Sequence, residues 1–318
     1  MIICCGEALI DMIKKPFPGS TEGFIPLPGG SPYNTAITIG RMGVPVKFLG
    51  RLSNDFFGEI LIKRLQENNA GCELIKRTDQ NTTLAFVKLE KGKEPEYVFY
   101  TEGTADCSFS VKDLPKKLPD DTKCILFGSI SMTIEPIAST IETFIFKEGK
   151  VKKEKPVISF DPNIRSFMIK NKAAYLKRFE KWISFCTIVK ISEADFEFLY
   201  PKLNAEKGLS KILELGAKLA ICTLGSNGAI AMLCRKDGSI IKISVKALKV
   251  SVKDTIGAGD TFHGAFLSWL EINNKMSRSD IADLSERDLQ DALLFANKAA
   301  AIVCSREGAD PPTRKEVL

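Results

Sequence analysis

The chain has 318 residues, 44% of them hydrophobic and 26% charged, with a formal net charge of +6 and a mean hydropathy close to zero. Those values exclude disordered and fibrous classes, and no apolar run approaches the ~20 residues of a membrane span. The basic residues are interleaved with acids, as in Lys150-Val151-Lys152-Lys153-Glu154-Lys155, which reads as a solvated loop before a buried strand. No aromatic-basic pattern accompanies them, so a nucleic-acid partner is not expected.

Nine cysteines, odd in number, scattered and without a Cys-x-x-Cys pair, argue for reduced thiols and against a disulfide framework or a zinc site. The first residues, Met-Ile-Ile-Cys-Cys-Gly-Glu, lack a basic n-region and a cleavage site. A cytoplasmic location is therefore expected. The single histidine, His263, excludes a multi-histidine metal site and is read as packing.

In chain order, short apolar runs at 2–5, 46–49, 124–127, 157–160, 187–191 and 219–223 read as fully buried strands. Helical patterns fall between them at 34–42, 57–68, 134–146, 173–183 and 209–215. Continuous apolar strands separated by helices predict one large α/β domain with a parallel sheet covered on both faces. Two stretches break the rhythm. Residues 24–28 and 83–100 alternate as strands, with a hairpin turn at Glu90-Lys91-Gly92-Lys93, and predict a small sheet standing off the main domain as a flap.

In open parallel sheets ligands bind beyond the carboxyl ends of the strands, and the chemistry-bearing motifs follow such ends. After the first strand, Gly6-Glu7-Ala8-Leu9-Ile10-Asp11 leaves Asp11 to accept bonds from polyol hydroxyls. Pro28-Gly29-Gly30-Ser31-Pro32-Tyr33-Asn34 opens a helix; Gly29 and Gly30 allow close backbone approach, and Asn34 offers donor and acceptor. Asp161-Pro162-Asn163-Ile164-Arg165 brings a carboxylate, an amide and a guanidinium to one strand end. Thr223-Leu224-Gly225-Ser226-Asn227-Gly228 is a small-residue turn able to admit a flat or phosphorylated ligand.

The last motif, Gly257-Ala258-Gly259-Asp260, puts unpaired N–H groups and the positive end of a helix dipole beside a carboxylate. An anion cradle next to a base is what phosphoryl transfer to a hydroxyl requires, although the same residues would serve an ordinary helix cap. A P-loop is absent, and so is a Gly-x-Gly-x-x-Gly after the first strand, which leaves no signature of those nucleotide-binding classes.

Taken together, these motifs resemble the ribokinase-like (PfkB) carbohydrate kinases over essentially the whole chain. Gly29–Asn34 is similar to that family's N-terminal signature and Asp254–Asp260 to its C-terminal one. The segments Gly29–Asn34, Phe127-Gly128-Ser129-Ile130-Ser131 and Asp161–Arg165 look most like fructokinases.

The resemblance implies a Rossmann-like three-layer sandwich spanning 1–318, with β-sheet lid segments at about 12–30 and 83–101. It also implies transfer of the ATP γ-phosphoryl group to a hydroxyl of D-fructose, O6 by preference. Carried over by position, Asp260 is the base and the N–H groups of Gly257, Ala258 and Gly259 form the anion hole. Arg165 assists transfer, and Asp11, Gly29, Gly30 and Asn34 hold the sugar. Thr223, Gly225, Gly228 and Asn297 line the nucleotide pocket.

Where the family often carries Asn-x-x-Glu, this chain has Lys190-Ile191-Ser192-Glu193. Glu193 then helps organise Mg²⁺ through water, and Lys190 is assigned to the nucleotide phosphates. Asp254 matches a side-chain ligand for a monovalent cation such as K⁺, with backbone carbonyls from Ile256 and the 303–308 turn. The implied partners are sugar and ATP, and the lid is open to being either a homodimer interface or a free flap. The competing readings are a 2-keto-3-deoxygluconate kinase, whose carboxylate substrate suits Arg165, and a catalytically silent sugar- or nucleotide-binding regulator.

Overall fold

A computed structural model describes residues 1–16, 19, 22–88, 96–151 and 155–318. The chain begins with β1 (Ile2–Cys5), β2 (Leu9–Pro16), β3 (Glu22–Gly29), α1 (Ser31–Arg41), β4 (Val46–Ser53), α2 (Phe56–Glu67) and β5 (Ala70–Thr78). It continues through β6 (Leu84–Lys88), β7 (Glu96–Tyr100), β8 (Cys124–Gly128), α3 (Ile137–Val151), β9 (Val157–Asp161) and α4 (Lys172–Ile183). Next come β10 (Ile188–Ser192), α5 (Glu193–Leu199), α6 (Ala205–Glu214), β11 (Leu219–Thr223), β12 (Ala229–Cys234) and β13 (Ile240–Val245). Four helices complete it: α7 (Ala258–Ile272), α8 (Arg278–Ala282), α9 (Glu286–Cys304) and α10 (Arg314–Val317).

Nine strands form the central sheet in the order β13-β12-β11-β10-β9-β8-β1-β4-β5. The seven from β11 to β5 are parallel, and β12 and β13 add an antiparallel edge. Successive side chains of a strand face opposite ways, so β1 serves two cores at once. Ile2 and Cys4 join the cluster under α1, α2, α7 and α9, while Ile3 and Cys5 join the one under α3, α4 and α6. Burial on both faces is why these strands carry no polar alternation. The result is the expected three-layer α/β sandwich.

The second sheet has four strands, β3-β2-β6-β7. One face packs Leu9 and Ala85 on Ile130 of the main body, with Phe99 against them. The other carries an edge-to-face series of Phe24, Phe86 and Tyr100, with Phe24 and Tyr100 exposed.

Several expectations shift. β2 begins at Leu9, three residues ahead of the lid segment expected at about 12, so Asp11 projects from the small sheet. The helix expected at 34–42 starts at Ser31, with Pro32 in its first turn. The loop expected at Lys150–Lys155 is partly helix, because α3 runs through Val151, and residues 152–154 lie outside the described residues. The predicted turn Glu90–Lys93 also lies outside them, although β6 and β7 pair antiparallel as a hairpin demands. Strands β5, β12 and β13 are additions; the edge strands β5 and β13 mix exposed and buried residues, and so lack the continuous apolar signal. The 19-residue α9 is also an addition, although Ser285 and Asp288 form the capping box that marks its start. Among the described residues, no helix is long and apolar enough to cross a membrane.

Candidate active site

From β1 the chain goes outward to β4 and β5 on one side and, later, to β8 and beyond on the other. Strand order reverses between β1 and β8, and a crevice opens at their carboxyl ends. There the structure has a cavity of about 270 Å³ under the small sheet. Leu9, Val87, Phe99 and Ile130 make one wall apolar. Asp11, Asn34, Asn163, Arg165 and Asp260 make another polar, together with Glu7, Ser31 and Ser129, and Gly30, residues 254–257 and Gly259 complete the lining. The structure thus brings together candidates from four separate motifs. Asn163, singled out in the sequence only as a member of its cluster, stands in the site itself.

The first turn of α7 forms the floor. Gly257 is its N-cap with φ 73°, a left-handed conformation that leaves the chain poised to enter the helix. A Cβ there would stand 2.8 Å from the Ala309 Cβ, so glycine is required by both backbone and space. The Ala258 N–H is taken up by the Thr255 carbonyl at 3.2 Å, which leaves less of the expected three-residue cradle open. Asp254 ties this loop to the end of α9: its two oxygens accept the N–H groups of Ile256 and Gly308, each at 3.0 Å.

Asp260 is the third residue of the helix and is 5% exposed. Ser31 Oγ donates to its Oδ1 at 2.7 Å and Asn34 Nδ2 to its Oδ2 at 2.9 Å. Asn163 Nδ2 reaches Oδ1 at 3.4 Å. Burial raises the Asp260 pKa above the usual carboxylate range, opposed by the Ser31 and Asn34 hydrogen bonds and by Lys190, with Asp161 adding to the rise. Asp11, across the cavity, is pushed up to about 7 by burial, held back by Arg165 and raised further by Asp260. Arg165 itself donates to Asn163 Oδ1 at 2.7 Å and to the Asn163 carbonyl at 3.1 Å.

The glycines at 29 and 30 are explained by close approach. Gly30 has φ 108°, and a Cβ there would stand 2.7 Å from the Glu7 carbonyl. At Gly29 the space a Cβ would need is filled by the Asp11 carboxylate.

Lys190 behaves differently from an exposed phosphate ligand. It is buried in the middle of β10 and donates to Asp161 Oδ2 at 2.9 Å. Burial works against its ammonium, but the Asp161 charge and hydrogen bond outweigh that and hold its pKa above the usual value. Its Nζ lies 2.9 Å from where a Gly259 Cβ would be, directly beside the first turn of α7. His263 sits on the other side of Asp161, with Nδ1 3.8 Å from the carboxylate and Nε2 2.7 Å from Ser159 Oγ. Burial lowers its pKa, so it is a neutral packing group, as the sequence suggested.

The remaining candidates stand outside the cavity lining. Glu193 is exposed at the start of α5. Thr223 ends β11, and Gly225 and Gly228 flank the short 3₁₀ turn after it. Asn297, on α9, donates to the Lys246 carbonyl at 3.1 Å. These groups form a second region along the ends of β10 and β11. Lys190 adjoins both regions.

The model of the pfkB family carbohydrate kinases matches residues 1–316. A fructokinase of Rhizobium leguminosarum bv. trifolii is 37% identical over 290 residues, covering 91% of this chain and 86% of that protein. Fructokinase with bound ATP from Xylella fastidiosa superposes with a TM-score of 0.88 at 27% identity, covering 99% of this chain and 96% of that one. Fructokinase from Vibrio cholerae O395 in a fructose-, ADP- and calcium-bound form superposes with a TM-score of 0.79 at 26% identity, covering 97% and 94%. The chain belongs to the pfkB family. It is a carbohydrate kinase with the ribokinase-like fold, and its similarity within that family is to fructokinases.

Proposed function

We propose that the protein transfers the γ-phosphoryl group of ATP to the O6 hydroxyl of D-fructose, with Asp260 as general base. The observation that carries this reading is Asp260 itself: a buried carboxylate in the cavity wall, at the start of a helix whose N-terminal turn faces the same space. Burial raises its proton affinity toward that needed to accept a hydroxyl proton, while three donors keep it oriented. Asp11, Gly29, Gly30 and Asn34 hold the sugar. The N–H groups of Gly257 and Gly259, with Arg165 and with that of Ala258 once it leaves the Thr255 carbonyl, receive the negative charge of the transferring group. The segments at 12–30 and 83–101 act as a lid of the same kinase domain, spanning 1–318, and keep water from the reacting phosphate.

ATP occupies the second region, against Thr223, Gly225, Gly228 and Asn297, with Lys190 toward its phosphates. The exposed Glu193 carboxylate is a hard oxygen donor that suits a hydrated Mg²⁺. When bound, that ion neutralises phosphate charge. Asp254 fits a monovalent cation such as K⁺, because it draws two backbone turns together and keeps lone pairs to spare. The nine free cysteines support a reducing, cytoplasmic setting.

The acid-rich polar wall favours a neutral sugar over 2-keto-3-deoxygluconate: Asp11 and Asp260 outnumber Arg165, which is already turned toward Asn163. ATP consumption measured over fructose, 2-keto-3-deoxygluconate, ribose and adenosine should give the highest kcat/KM for fructose, and a higher value for the acid would overturn the substrate. Asp260→Asn should bind fructose normally and lose about 10²–10⁴-fold in kcat. Near-normal turnover would remove Asp260 as the base, and no turnover of any sugar by the unaltered protein would point to a silent binder.

A further inference from the structure

Ser31 is the first residue of α1, and the preceding Gly30 has no side chain with which to cap the helix. The Ser31 N–H is capped instead from the end of β1, by Glu7 Oε1 at 3.1 Å. The other Glu7 oxygen, Oε2, accepts from the Ser131 N–H at 3.3 Å and from the Ser131 hydroxyl, while the Glu7 N–H donates to Ser131 Oγ at 2.8 Å. Glu7, Ser31 and Ser131 are all buried. One carboxylate thus locks the end of β1, the start of α1 and the turn after β8 together. The Ser31 hydroxyl projects from this lock onto Asp260.

We propose that Ser31 is a positioning residue for Asp260, its hydroxyl holding Oδ1 so that the lone pair left open for the sugar proton is on Oδ2. Oδ1 carries two donors, from Ser31 and Asn163, whereas Oδ2 carries one, from Asn34. In the transfer, the sugar O–H bond breaks as an O–H bond forms at Oδ2. The electron pair left on the sugar oxygen attacks the γ-phosphorus, and ADP leaves. The inference rests on Asp260 being the base. It adds what holds that base in place and what opposes the rise in its proton affinity on burial.

Other charges also bear on Asp260. Asp161 from β9 and Lys190 from β10 act on it from behind. Asp11 from β2 faces it across the cavity, Arg165 reaches it through Asn163, and Glu7 stands behind Ser31. His263, one turn along α7, is neutral. Ser31 is the one neutral hydroxyl among these groups that bonds the Asp260 carboxylate directly at 2.7 Å, so replacing it changes donor geometry without changing net charge.

The test is the pH profile of kcat for Ser31→Ala with ATP and fructose. Losing a donor to the carboxylate raises its pKa, so the acid limb should move up by about one pH unit. At the plateau kcat should fall about tenfold, with KM for fructose within about twofold, as for a lost bond to a charged group. Ser31→Thr, which keeps a hydroxyl, should return the limb to its place. Ser31→Cys, of nearly the same size but a weak donor, should show the shift with the site still filled, should alanine leave a void.

A lower kcat or melting temperature with the acid limb unmoved would make Ser31 merely structural and overturn the proposal, as would unchanged kinetics. Full turnover by Asp260→Asn would instead remove the base itself. Loss in Asp260→Asn together with an unmoved limb in Ser31→Ala refutes only the role given to Ser31.

Discussion

Replacing Gly257 by alanine separates two reasons for a glycine at the start of α7. The φ of 73° costs a residue with a Cβ about 1–2 kcal/mol. The second cost is spatial: the new Cβ would stand 2.8 Å from the Ala309 Cβ, well inside the ~3.5–4.0 Å optimum for carbon atoms. Ala309 cannot retreat freely. Arg64 grips its carbonyl at 2.6 Å, and Arg41 holds both Asp310 and the Pro311 carbonyl. Overpacking of this kind costs about 1–3 kcal/mol, so Gly257→Ala should lose about 2–5 kcal/mol in all.

Gly225 supplies the internal control. It has φ 54°, yet a Cβ there would meet nothing within 4 Å, so Gly225→Ala should lose the backbone part alone. Urea unfolding of the two variants gives the difference. Ala309→Gly in the Gly257→Ala background should recover the packing part and leave the backbone part. Equal losses for Gly257→Ala and Gly225→Ala would refute the packing argument.

Two further outcomes are expected. Lys190→Met leaves Asp161 as a buried, unpaired charge and should cost about 3–5 kcal/mol, most of it returned by adding Asp161→Asn; a Lys190→Met protein as stable as the parent would mean that the pair is not a buried one. The small sheet packs on the main body at its root, through Leu9 and Ala85 on Ile130 and through Ile10 in the main core, while Phe24, Val98 and Tyr100 stay exposed. Its amides should therefore be among the least protected strands without ligand, and saturating fructose should slow hydrogen exchange across β6, β7 and the Asn34 region. Equal exchange in both states would make the sheet a fixed surface hairpin and not a lid.

What could be read from the residues alone followed from local rules. Six parallel strands were legible because a strand buried on both faces is apolar along its whole length, as Cys124–Gly128 is. The start of α7 was legible because two glycines flanking Ala258, followed by an acid, mark a turn into a helix. The nearness of Asn34, Arg165 and Asp260 followed from a general rule, that ligand groups gather beyond strand ends.

Other features depend on distant segments meeting, and no local pattern encodes that. Asp11 carries no strand signal of its own, because the sheet around it is completed by β6, far along the chain. Lys190 reads as a free cation until folding sets it against Asp161 and removes both from water. Glu7 reads as an ordinary acid at a strand end. Only tertiary structure closes the 24-residue separation to Ser31 and the 229 residues from Ser31 to Asp260. The residue types at the site are thus a local property of the chain. Which of them are buried, paired and aimed at Asp260 is decided by packing, because burial and hydrogen-bond partners are properties of the assembled fold.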